Sequence, residues 1–150
     1  MSVKKKRIPR QMVNPLAILA DRSTEKIADD THKTLLTVFL GSLSAMMLKE
    51  YADDAAWSNL VCALNTGLVL CQAGFRPEKQ KTVDAALTAM VIVRQRALKG
   101  HGWHLGNHYE TVRAGFAVCQ QHMAELPKEI QRKALLEVFR RVGQMEVKAA

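Results

Sequence analysis

Aromatic residues are scarce in this chain, at 5%, and proline occurs only four times and cysteine three times. No stretch of about 18 apolar residues is present, so nothing predicts a membrane-spanning helix. The opening lacks the roughly 7–15-residue apolar run of a signal peptide, and secretion is not expected. Also missing are a β-hairpin signal, a GxxxxGK[ST] phosphate loop, a dinucleotide glycine fingerprint, a G-x-S-x-G elbow and an HExxH pair. Catalysis therefore has no positive support and no cofactor is implied. The three cysteines, Cys62, Cys71 and Cys119, are odd in number and contain no CxxC pair. Cys62 and Cys71 fall roughly 180° apart on one helix at about 100° per residue, so they do not pair with each other or share a metal. Buried thiols in a reducing compartment are expected.

What the chain does hold is enough apolar residue for a core: 48% hydrophobic against 24% charged over 150 residues. That predicts one folded domain. The net charge is +8 and is unevenly placed. Residues 1–22 contain Lys4, Lys5, Lys6, Arg7, Arg10 and Arg22 against Asp21 alone, which leaves only +3 for the other 128 residues. With Pro9 and Pro15 pushing their preceding residues out of the helical region, residues 1–22 read as an extended basic arm and 23–150 as a single α-helical domain. Leu16, Ile18 and Leu19 can fasten the end of the arm to the core.

Beyond the arm the apolar spacing is helical throughout. Leu35, Leu36, Phe39, Leu40, Leu43, Met46 and Met47 predict a helix over 24–52, either unbroken and capped at Ser23 or divided by a second cap at Thr31. Asp53 and Asp54 cap a helix with Trp57, Leu60, Val61, Leu64, Leu68 and Cys71 on one broad face, closed by Gly74 in a left-handed turn. Pro77 starts a third helix that is expected to bury Val83, Leu87, Met90, Val91 and Leu98 and to stop at Gly100. A fourth follows from about Asn107 with Tyr109, Val112, Phe116, Cys119 and Met123. The fifth starts at Pro127 and carries Ile130, Leu135, Val138, Phe139, Val142 and Met145. The expected fold is all-α, a bundle of four or five mostly antiparallel helices preceded by the extended basic arm.

Several side-chain groups are candidates for function. Lys4, Lys5, Lys6, Arg7 and Arg10 suit phosphate contacts, because lysine and arginine neutralise phosphates and release counterions without reading bases. Arg132, Lys133, Arg140 and Arg141 on the fifth helix can extend that footprint, although Glu129 and Glu137 interleave with them as on an ordinary solvated face. Arg94, Arg96 and Lys99 suit the negative end of the third helix. His101, His104 and His108 fall within eight residues, in and directly after the Gly-rich segment GHGWHLGN. They are the candidates for a metal site or a pH-sensitive contact, but the glycines favour a polar interhelical loop with Trp103 packed inward. His32 and His122 have no visible partner. The pairs Asp29/Asp30 and Asp53/Asp54 are explained by capping, and Gly67 by close helix packing.

The layout of a KKKRIPR arm, an Asn-Pro-Leu segment and a helical core resembles small basic accessory proteins of bacteriophages and related mobile elements. The resemblance is architectural. It implies a bacterial cytoplasm and action through binding, and it transfers no functional residue. The expectation is a non-enzymatic protein that contacts the backbone of DNA or RNA through its arm, while its core serves as platform or homo-oligomer interface. The alternative is an interaction or inhibitor protein directed at a host protein or nucleoprotein complex.

Overall fold

From Asp54 to Gln72 the chain carries one formal charge, on Asp54, and this stretch becomes the centre of the fold. A computed structural model describes the backbone of residues 25–149 and the side chains of residues 33–142. Among the described residues five α-helices run in order: α1 (Glu25–Met47), α2 (Asp54–Gln72), α3 (Gln80–Leu98), α4 (Tyr109–Glu125) and α5 (Lys128–Ala149). Single 3₁₀ turns at Pro77–Lys79 and Gly106–His108 precede α3 and α4. No strand occurs among the described residues. The segment 1–22, with Lys4, Lys5, Lys6, Arg7 and Arg10, lies outside them.

Helix α2 packs against all four others. No residue of α2 from Ala56 to Cys71 is exposed on any face, and Ala56, Leu60, Leu64, Gly67 and Leu70 form its most deeply buried side. A helix apolar all round is one surrounded by partners. Asp53 fixes its start, the carboxylate Oδ1 accepting the Ala56 N–H at 2.8 Å. Gly74 ends it at φ +100°, a backbone region in which side chains are strained.

Close approach of α2, α3 and α4 depends on small residues. A β-carbon on Gly67 would lie 2.4 Å from Cys119 Sγ, and one on Gly115 would lie 2.3 Å from Ala86 Cβ. The expected role of Gly67 in close packing holds. The three thiols are buried. Loss of solvation pushes Cys62 and Cys119 up to about 12 and raises Cys71 as well, so all three stay protonated.

Several boundaries and faces differ from the sequence reading. Thr31 lies inside one continuous α1, which ends at Met47 rather than 52; residues 48–51 form a turn. Pro77 opens a 3₁₀ turn instead of α3, with Arg76 before it in the left-handed region at φ +58°. The helical stretch thus opens with one 3₁₀ turn, a common form at helix ends, and continues as α-helix from Gln80. Val91 and Leu98, expected in the core, are 52% and 65% exposed. The buried stripe of α3 is Val83, Ala86, Met90 and Val93, and both residues fall about a third of a turn to its side. Leu40 and Met47 stand to the side of the Leu35–Phe39–Met46 stripe in the same way.

Candidate functional site

Of the core cations singled out in the sequence, those on α5 are largely neutralised. Arg140 clasps Glu137 through Nε at 2.8 Å and Nη2 at 2.5 Å, and Arg141 Nε donates to the same carboxylate at 3.1 Å. The hydrogen bond from Arg140, reinforced by Arg141, holds the Glu137 carboxyl down to about 2. Arg141 Nη1 also donates to Gln72 Oε1 at 3.1 Å, tying α5 to the end of α2. Lys133 lies 3.7 Å from Glu129. Arg132 alone of the four forms no ion pair with another described residue.

The end of α3 is different. Leu105, fully buried, donates its backbone N–H to the Met46 carbonyl at 2.8 Å, which folds the Gly-rich segment back against the end of α1. His101 N–H bonds the Arg96 carbonyl at 3.1 Å and closes α3. Trp103 then meets Trp57 of α2 with ring centroids 6.0 Å apart and planes tilted by 60°. Trp57 Nε1 donates to the Met90 carbonyl at 2.8 Å, and the Arg94 guanidinium stands 5.9 Å from the Trp57 ring. Two tryptophans and an arginine thus share one corner, with the inward packing of Trp103 as expected.

Arg96 and His104 lie beside this corner. The guanidinium Nε and Nη2 and the imidazole Nδ1 are shielded from solvent, and none has a hydrogen-bond partner. Burial, followed by the charges of Arg96 and Lys49, keeps His104 below the usual histidine range and so in its neutral form. Lys49 belongs to the turn after α1, so charges from two separate parts of the chain act on one imidazole. Lys99 and His101 are exposed nearby in the chain. Among the described residues no group of three or more His, Cys, Asp or Glu side chains is placed to hold a metal ion, and His101, His104 and His108 are not gathered into one.

His122 gains a partner that its sequence context did not reveal. It is 2% exposed, and its Nε2 lies 2.9 Å from the Phe75 carbonyl. Burial lowers its tendency to protonate. Gln131 caps the adjacent end of α4, its Nε2 reaching the carbonyls of Leu126 at 2.7 Å and Met123 at 3.1 Å. An Arg76–Glu125 ion pair closes the same corner.

Sequence reasoning assigned Arg96 to the helix dipole and His104 to a weak metal group, and gave Lys49 no role. The usable signal was the cluster of glycines directly after a basic helix end. The approach of Lys49 is a tertiary event with no local signature. No family model, curated protein or solved structure matches this chain.

Proposed function

We propose that this is a non-enzymatic binding protein of the bacterial cytoplasm that associates with the phosphate backbone of DNA or RNA. In this reading an antiparallel helical bundle carries an extended basic arm, and Lys4, Lys5, Lys6, Arg7 and Arg10 make the main phosphate contacts. The observation that carries it is the +5 charge of residues 1–22 against +3 for the rest of the chain. Within the core, support comes from the cations at the α3 end, where Arg94 stands 5.9 Å from the Trp57 ring and Arg96 and Lys99 follow it. The α5 cations contribute less to this reading, because Glu137 and Glu129 occupy Arg140, Arg141 and Lys133.

The test is affinity for a nonspecific duplex as a function of salt. Deleting residues 1–10 removes five cations and is expected to flatten the log–log slope by up to about 4.5, at roughly 0.9 for each phosphate no longer neutralised. Unchanged affinity and slope in the deletion variant refute the proposal.

A second reading, a protein that binds and blocks a host protein or nucleoprotein complex, is favoured by the exposed apolar residues Val91, Ile92 and Leu98 on α3. A stoichiometric protein complex that survives nuclease and moderate salt supports it; recovery abolished by nuclease supports the first reading.

A further inference from the structure

Two arginines of this protein clasp a carboxylate through the same edge of the guanidinium. Arg76 and Arg140 each use Nε together with Nη2, on Glu125 and Glu137 respectively. That edge presents two parallel N–H groups to two oxygens of one anion. In Arg96 the same edge is buried and unpartnered. A guanidinium cannot shed its proton, so shielding two of its nitrogens from water without an acceptor is disfavoured unless something else supplies one.

The glycine-rich loop lies against both side chains. Gly102 and Gly106 have φ of +89° and +57°. A β-carbon at 102 would stand 3.0 Å from His104 Nδ1, and one at 106 would stand 3.4 Å from Arg96 Nη1. Gly102 thus packs against the unpartnered His104 Nδ1, and Gly106 packs against the His104 ring and Nη1, the remaining nitrogen of the Arg96 guanidinium. The Leu105–Met46 hydrogen bond brings the end of α1, with Lys49 just beyond it, to the same loop.

We infer that Arg96, His104 and Lys49 form an oxyanion site that takes a phosphate group. The Arg96 edge clasps two oxygens, His104 donates from Nδ1 in that tautomer, and Lys49 adds charge from the open side. Because the donors are shielded, the phosphate enters as the glycine-rich loop yields, and Trp103 on that loop moves relative to Trp57. The group can come from a nucleic-acid backbone or from free phosphate. Only the first source rests on the function proposed above.

The experiment titrates the full chain with inorganic phosphate at constant ionic strength, with chloride as control, and follows tryptophan fluorescence and binding heat. A saturable response to phosphate and not to chloride is expected. It should weaken at least about tenfold in Arg96→Gln, the loss of roughly one charge-assisted hydrogen bond, and less in Arg96→Lys. Lys49→Ala, an exposed position whose truncation leaves the core intact, should weaken it several-fold and serves if Arg96→Gln does not fold. No saturable response through the millimolar range, or an equal response in Arg96→Gln and Lys49→Ala, overturns the inference. Displacement of phosphate by a single-stranded oligonucleotide identifies the backbone as the source; phosphate binding indifferent to the oligonucleotide identifies free phosphate. A 1–10 deletion that loses nucleic acid but keeps the phosphate response supports site and arm separately. The reverse pattern, arm-dependent nucleic-acid binding without a phosphate response, removes the site alone.

Discussion

Gly115→Ala tests the packing of α3 against α4, because two opposite effects compete there. In an exposed helix the change is favourable by about 1 kcal/mol, the difference in helix propensity. At Gly115 the new methyl would lie 2.3 Å from Ala86 Cβ, with Leu64 Cδ2 and the Thr82 carbonyl oxygen both at 3.3 Å. Carbon atoms pack best at about 3.5–4.0 Å, so the helices must part by more than about 1 Å. Ala86 has no rotamer with which to retreat. The steric cost therefore sits near the top of the roughly 1–3 kcal/mol range for overpacking, and about 2 kcal/mol of net destabilisation remains after the propensity gain. For a chain of this size that corresponds to a drop in Tm of about 4–8 °C. Urea unfolding measures it as a lower midpoint at unchanged slope. Ala86→Gly in the same background should restore part of the stability, giving a coupling of at least about 1 kcal/mol. The matched control is Gly41→Ala in α1, where a β-carbon meets nothing within 4 Å and a gain of about 0.4–1 kcal/mol is expected. If Gly115→Ala proves as stabilising as Gly41→Ala, the described packing is wrong.

His122 is held below its ordinary value of 6.5 in the folded state, so the unfolded chain binds the extra proton first. Its contribution is full above pH 6.5 and declines as pH falls from there toward the folded value; in a stability–pH series His122→Gln should remove this part of the acid loss, and an unaltered profile would contradict the assignment. Gln131→Leu leaves the carbonyls at the end of α4 without their buried donor and should cost about 1–3 kcal/mol, read as a lower urea midpoint; a neutral result means water replaces the cap. Cys62, Cys71 and Cys119, all buried and protonated, should react with a thiol reagent only at the rate of unfolding and yield three equivalents in urea, whereas rapid native labelling would show an open site.

The helical class, the five elements and most of their inward residues were legible because apolar spacing and caps are local signals. Asp53, Gly74 and Gly100 mark their helix ends where composition places them. Faces were harder. Val91 and Leu98 are apolar and near the helical period, yet only the neighbours of α3 decide which third of its surface they cover. The central place of α2 was also visible in its lack of charge, although one apolar face was the reading drawn from it. In the candidate site, His104 and the glycines stood out in the sequence. The convergence of Arg96, His104 and Lys49 did not, since it arises when the loop folds onto Met46 across more than fifty residues.

The central position of α2 also sets an order in time. Helices α1 and α3 adjoin it in sequence, but α5 meets it only after about 56 further residues have been added between Gln72 and Lys128. At roughly 5–20 residues per second of synthesis, that is about 3–11 s. During this interval the side of α2 that α5 will cover lacks the helix that covers it among the described residues. The nascent protein therefore passes through a stage in which its most apolar helix is made but only partly enclosed, and in which a chaperone or a second nascent chain competes with α5 for the same surface.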